Sequence, residues 1–303
     1  MAFIEARNVY KRYAAHTALD NVCLSIKRGK VFGLLGPNGA GKTSLIRIIN
    51  RITAPDSGQI LFDGRPLKSS DVQRIGYLPE ERGLYRKMKV GDHALYLAEL
   101  HGLSRKEAKQ RLEKWFDRLD IMPWWNKRVE ELSKGMQQKI QFVCTVLHEP
   151  ELLIFDEPFS GFDPVNADLL KREILTLRDQ GKTIIFSTHN MQSVEEVCDD
   201  IALINRSKVV LSGSVANIRQ QHATPYVRLT LNRPLSESEC ATLPLVERGK
   251  QTNSGYTYRL CRSKEMTNLN LIASLPRDLD LITSEQEIPS MHEIFIQTIQ
   301  HHG

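Results

Sequence analysis

The stretch "VFGLLGPNGAGKTSLIRIIN", residues 31–50, constrains this chain more than any other. Residues 31–35 are an apolar run of strand length, and the glycine-rich segment after them reads as a tight loop. Lys42, Thr43 and Ser44 then open a helix with Leu45, Ile48 and Ile49 on one face. Gly36 to Thr43 fits G-x-x-x-x-G-K-[ST] in the strand–loop–helix setting that gives the pattern its meaning. Glycine torsions turn successive N–H groups into one concavity, and the helix start adds partial positive charge. Gly36, Pro37, Asn38, Gly39, Ala40 and Gly41, with Lys42, Thr43 and Ser44, are therefore the expected phosphate site. Lys42 would reach the β- and γ-phosphates, and the Thr43 hydroxyl would ligate Mg²⁺.

A second apolar strand, "ELLIFDEP", ends in Asp156-Glu157. Two acids are costly in a core but useful at the mouth of a parallel sheet, where ligands sit beyond the strands' carboxyl ends. Asp156 is expected to hold Mg²⁺ and Glu157 to polarise an attacking water. A third strand, "KTIIFSTH", delivers His189 to the same edge, within reach of a γ-phosphate. A lone histidine after a strand is more often structural, so its role rests on what surrounds it.

A further segment, "LSKGMQQ" at 132–138, starts a helix on which Met136, Ile140, Val143 and Leu147 recur at helical spacing. Ser133 can cap that helix. Capping alone leaves Gly135 and the polar turn after it without a purpose.

Taken together, and in this order, the motifs resemble those of the nucleotide-binding subunit of an ABC transporter, over roughly residues 3–220. Gly36–Thr43 resembles the Walker A loop and Leu152–Glu157 the Walker B strand with its catalytic glutamate. Ser160-Gly161-Phe162-Asp163 resembles the D-loop, and His189 the switch histidine. Tyr13 stands where that family stacks an aromatic on adenine, and "LSKGMQQ" resembles its signature. The resemblance implies ATP and Mg²⁺ as cofactors. It implies a homodimer or paired ABC subunit, with Ser133 and Gly135 of each chain completing the site that holds the partner's ATP. Integral membrane permease subunits, a cytoplasmic, membrane-peripheral location and ATP hydrolysis coupled to transport follow.

Three departures stand out. Lys134 and Met136 replace a glycine and a glutamine of the common signature, and Phe162 replaces a leucine. In "YLPEERGLY", Glu80 stands where most relatives carry glutamine near the metal. As a carboxylate it either ligates Mg²⁺ or turns to solvent and pairs with Arg82 or Arg86. The segments "YLPEERGLY" and "LSKGMQQK" resemble the ATPases of bacterial type-two exporters. The alternative reading is an ABC ATPase that acts as a regulatory switch on an envelope or other machine without moving a solute. Translation and DNA-repair ATPases of this family carry paired cassettes or long coiled coils, and neither pattern occurs here.

The expected fold is an α/β P-loop core, 1–220, with an antiparallel β-subdomain, "AFIEARNVYKRY", "ALDNVCLSIKRG" and "GQILFDGRPL", and a helical subdomain at about 83–150. Within that block Ser104 and Glu107 predict a helix start, and Leu84, Tyr85 and Met88 are expected to face the membrane partner. Residues 221–303 are expected to form a small α+β accessory domain with strands at "PYVRLTL" and "GYTYRL" and a capping box from Ser290 to Glu293. Its terminal His301-His302 has too few ligands nearby for a metal. A net charge of +5 spread along the chain gives no dense basic patch, so no direct nucleic-acid partner is expected. Five separated cysteines without a C-x-x-C pair predict reduced thiols. No apolar run reaches the roughly 20 residues needed to span a bilayer.

Overall fold

A computed structural model describes residues 2–14, 16–80, 83–252, 254–263, 267–276 and 278–301. Arg82 and His302 lie outside the described residues. The chain divides into two compact units, Met1–Val215 with Gln297–Gly303, and Ala216–Ile296.

The first unit begins with β1 (Ala2–Tyr13), β2 (His16–Lys27), β3 (Val31–Leu35) and α1 (Lys42–Ile49). Then come β4 (Ser57–Phe62), β5 (Arg65–Pro66) and β6 (Ile75–Leu78). Three helices follow, α2 (Val90–Leu100), α3 (Arg105–Arg118) and α4 (Lys134–Val146). The unit continues with β7 (Leu152–Asp156), α5 (Pro164–Asp179), β8 (Thr183–Ser187), α6 (Met191–Val197), β9 (Asp200–Asn205) and β10 (Lys208–Ser214).

An antiparallel sheet has the order β2-β1-β4-β5. Asp63 at φ 53° and Gly64 at φ 78° make the tight turn from β4 to β5, as two left-handed residues must in a two-residue hairpin. The larger sheet has the order β10-β9-β3-β8-β7-β6, parallel from β9 to β6 with β10 antiparallel at the edge. Every residue of β3, β7 and β8 is buried, which is why each reads as an unbroken apolar run rather than an alternation. Phe3, Ile4, Phe62, Leu45, Ile49, Leu34 and Ile204 join the two sheets and α1 in one core. The carboxyl ends of β3, β7 and β8 therefore lie side by side at one sheet edge.

In the helical block, Ser104 Oγ accepts the Glu107 N–H at 3.3 Å and caps α3. The Glu107 carboxylate turns instead to Arg111, at 2.7 Å, one turn along. Ala108, Leu112 and Phe116 form the buried stripe of this helix. Ser133 Oγ caps α4 through the Met136 N–H, and Ile140, Val143 and Leu147 are buried.

The second unit contains most of α7 (Val215–Gln221), then β11 (Tyr226–Leu231), α8 (Glu237–Thr242), β12 (Leu245–Thr252) and β13 (Gly255–Cys261). It ends with α9 (Asn268–Ala273), β14 (Leu281–Gln286) and most of α10 (Met291–His301). Its sheet order, β12-β13-β11-β14, is all antiparallel between neighbours and has a helix in each of two crossovers. That is the split β-α-β plait of ferredoxin-like folds. Val227, Leu229, Leu231, Tyr258, Leu260 and Leu271 form its core. The polar stretch after "PYVRLTL" hides α8 and β12. α8 opens on a capping box between Ser236 and Glu239, and β12 carries polar residues because it is an edge strand. Ser290 and Glu293 make the expected box at the start of α10, with bonds of 2.7 and 3.2 Å.

Candidate functional site

The loop from Gly36 to Gly41 is held by what a side chain would strike. A Cβ on Gly36 would lie 2.2 Å from the Ile204 carbonyl, and one on Gly41 would lie 2.3 Å from the Ala18 carbonyl. Gly39, by contrast, has open space around it, on the side where a ligand approaches. Lys42 is 7% exposed and folds back, its Nζ donating to the carbonyls of Gly36 at 2.7 Å and Pro37 at 3.1 Å. Burial pulls the Lys42 ammonium below its ordinary range, while Glu157, Asp156 and Glu80 act to keep it charged.

A cavity of about 300 Å³ opens at this loop. It brings together Asn38, Gly39, Gly41, Lys42, Thr43, Ser44, Glu80, Glu157 and His189, all expected from sequence. His16 and Ala18 of β2 also line it; sequence reasoning missed them, although His16 follows Tyr13 by three residues. Tyr13 itself stands beside the cavity rather than in its lining, with its ring 5.8 Å from that of His16. Asp163 caps α5, accepting the Asn166 N–H at 3.0 Å, and is outside the lining. Ser133 and Gly135 are outside it as well.

Asp156 ends β7 and is 3% exposed. Burial raises its carboxyl above the usual range, and the charges of Glu80 and Glu157 push the same way. Glu157 follows in the left-handed region, at φ 48°, with its N–H bonded to the Ser187 carbonyl at 2.9 Å. Its carboxylate is clamped at both oxygens, Oε1 to His189 Nδ1 at 2.7 Å and Oε2 to the Thr188 hydroxyl at 3.2 Å. Thr188 is a second contributor not anticipated from sequence. Glu80 is exposed and lines the cavity, and no ion pair joins it to Arg86.

Asp156, Glu157 and Glu80 thus all act on the charge of the buried Lys42 ammonium, and among the described residues no three acidic, histidine or cysteine side chains are grouped closely enough to hold a metal by themselves. A phosphate cradle with a lysine at its base, set beyond the ends of a parallel sheet and beside paired acids, defines a P-loop nucleotide-binding protein.

Comparison with known proteins narrows that class. Residues 19–160 match the family model described as ABC transporter, and residues 213–299 match that of the ATP-binding protein DrrA1-3-like, C-terminal domain. The chain is 41% identical to the uncharacterized ABC transporter ATP-binding protein YhaQ of Bacillus subtilis, over 96% of this chain and 97% of that one. It is 36% identical to the ABC transporter ATP-binding protein NatA of the same organism, over 66% of this chain and 83% of that one. A solved structure of an ATP-binding subunit of an ABC transporter superposes with a TM-score of 0.67 at 31% identity, over 72% of this chain and 92% of the other. The chain belongs to the family of ABC transporter ATP-binding proteins. It is an ATP-hydrolysing subunit of such a transporter, with the α/β cassette fold expected from its motifs.

Proposed function

We propose that two copies of this chain, or this chain and a paired ABC subunit, sandwich ATP between them and drive export through separate membrane subunits from the cytoplasmic face. Gly135 carries this reading. A Cβ there would meet only Phe162 at 3.6 Å and the Gly161 carbonyl at 3.8 Å, ordinary contacts, and its φ is not in the glycine region. Nothing among the described residues requires glycine at 135, whereas close approach of a phosphate from outside would. Ser133 and Gly135 would thus serve the partner's nucleotide. That no described helix is long and apolar enough to cross a membrane fits a chain that works with separate permease subunits.

Within each site, Asn38 to Ser44 would wrap the phosphates, with Gly36 and Pro37 holding Lys42 until a nucleotide draws its ammonium away. Tyr13 and His16 would border the adenine side. Thr43 and Asp156, with Glu80, would hold Mg²⁺, which when bound supplies charge to the phosphate oxygens. Glu157 would take a proton from the attacking water as the γ-phosphoryl group leaves ADP, which departs with the electron pair of the broken P–O bond. His189 Nδ1 fixes Glu157, leaving Nε2 to face the γ-phosphate. Asp163 would contact the nucleotide side of the dimer from the start of α5. Residues 1–220 form the ATP-binding domain in this reading, and 221–303 an accessory domain. YbhF of Escherichia coli, 32% identical over 73% of this chain and 38% of that one, is named a probable multidrug ABC transporter ATP-binding protein; that name supports the direction of transport.

The test is purification of the Glu157→Gln protein with ATP and Mg²⁺ from gently solubilised membranes. That variant is expected to bind ATP, lose about 100-fold or more in turnover and bring down a polytopic membrane protein in stoichiometric amount. Undiminished turnover would remove Glu157 from its role, and recovery of ribosomes or of no partner would remove the transporter coupling.

A further inference from the structure

The hairpin between β9 and β10 touches the nucleotide site without lining it. Asn205 pairs with Lys208, and the two residues between them, Arg206 and Ser207, lie in the left-handed region at φ 45° and 69°. A two-residue turn demands that geometry, and glycine or asparagine enters it with less strain than serine. Ser207 is nevertheless 9% exposed, and all three of its polar groups are engaged. Its N–H donates to the Ala40 carbonyl of the phosphate loop at 3.2 Å. Its carbonyl accepts the Asp20 N–H at 2.8 Å, and its hydroxyl donates to the Thr17 carbonyl at 2.6 Å. Lys208 adds an ion pair to Asp20 at 3.2 Å.

The strand held in this way is irregular where the turn meets it. β1 pairs with β2 through Lys11↔Leu19 and then Arg12↔Thr17, so the ladder passes over Ala18. It passes over further residues between Leu19 and Val22. A bulged strand loses part of its ladder and bends, and bulges of this kind stand beside active sites. His16 and Ala18, on either side of Thr17, line the nucleotide cavity. The Ala18 carbonyl also lies against Gly41, where a Cβ would approach it to 2.3 Å. One serine therefore spans the phosphate loop and the wall formed by the start of β2.

We propose that Ser207 is a positioning residue for the nucleoside end of ATP. Its hydroxyl holds the His16–Ala18 wall at a fixed distance from the phosphate loop, so that one ligand meets both surfaces in place. The proposal rests on the reading that sets adenine beside Tyr13 and His16. The bond to Ala40 is made by the backbone and survives a change of side chain, whereas the bond to Thr17 needs the hydroxyl. Loss of the hydroxyl thus frees the wall and leaves the phosphate cradle as it was. The ligand must then order the wall itself, which weakens binding of the whole nucleotide.

The experiment compares Ser207→Gly with Ser207→Ala in the full chain. Both remove the hydroxyl, but only glycine also relaxes the left-handed backbone. Each variant is expected to raise the KM for ATP and weaken ATP binding by about three- to tenfold, the scale of one neutral hydrogen bond, with kcat held. Binding of inorganic tripolyphosphate, which has the phosphates and lacks the nucleoside, is expected to stay as in the natural chain. Thermal unfolding followed by circular dichroism is expected to find Ser207→Gly at least as stable as Ser207→Ala. Parallel loss of ATP and tripolyphosphate binding overturns the proposal, as does a loss seen in Ser207→Ala and absent from Ser207→Gly, which would trace it to backbone strain. Tyr13→Ala separates the two readings. Unchanged ATP binding in that variant removes the placement of adenine, and the proposal with it. Weakened binding there, with ATP binding unchanged in both Ser207 variants, removes the role of Ser207 alone.

Discussion

Glu157 sits at φ 48°, where a residue with a side chain is strained by about 1–3 kcal/mol. The strain turns its carboxylate off the end of β7 and into the clamp of His189 and Thr188. A neighbouring position tests the division of the site between chains. Gly135→Ala removes flexibility from the first turn of α4 without a clash, so stability is expected to hold or rise by up to about 1 kcal/mol. Under the proposed trans role, steady-state ATP turnover is expected to fall by about tenfold or more, because the added methyl would meet the partner's phosphate. Denaturant unfolding and turnover measured together decide it: loss of both, or of neither, removes the trans role. Glu80→Gln probes the third carboxylate. Replacing the acid by an amide should move the Mg²⁺ activation curve to higher concentration, and superimposable curves would mean that Glu80 does not touch the metal. At this scale the placement of the phosphate loop, Asp156 and Glu157 at one sheet edge was legible, since glycine torsions and acids at strand ends leave marks in any sequence, whereas His189 was singled out only through the family resemblance. His16 and Thr188 were not legible, because they act through contacts that only the folding of β2 and β8 onto one edge creates.

At the scale of elements, the buried parallel strands were legible because burial on both faces demands apolar runs. β12 was not, because an edge strand satisfies its pairing on one side and needs polar side chains on the other. The helical block carries a pH sensitivity of its own. His101, at the end of α2, stacks on His148, just past α4, with ring centroids 3.9 Å apart. Burial first, and then the charge of His101, push His148 down to about 4, with Lys182 and Arg111 adding to the effect against the Ile75 carbonyl. The folded chain thus resists a proton that the unfolded chain accepts near pH 6.5. The stability tied to His148 is full above that pH and is lost as pH falls toward 4. Thermal unfolding from pH 7 to 4 is expected to show a steeper loss in the natural chain than in His148→Gln. Equal slopes would show that the pair is open to solvent.

For the whole molecule, the proposed trans arrangement would have a consequence that no single chain can display. Lys42→Ala destroys the phosphate loop's charge, and Ser133→Arg fills the signature with a bulky cation; each protein alone is expected to be nearly inactive. Mixed in equal amounts, they form pairs in which one of the two sites keeps both an intact Lys42 and an intact Ser133. Turnover well above the sum of the separate proteins is expected, provided one site suffices. A mixture no better than its parts would mean that both sites must fire or that the signature serves its own chain.

The glycines of the phosphate loop carry a last consequence. Gly36 and Gly41 are pressed against the carbonyls of Ile204 and Ala18, strand ends that belong to different sheets. Any side chain at either place would pry the loop from the framework before a nucleotide arrived. A degenerate copy of this chain that had lost Lys42 and Glu157, and with them all chemistry, would still have to keep both glycines in order to fold. In a survey of related genomes, those two glycines would report only that the architecture survives, and a working motor would have to be recognised from its lysine and its acids.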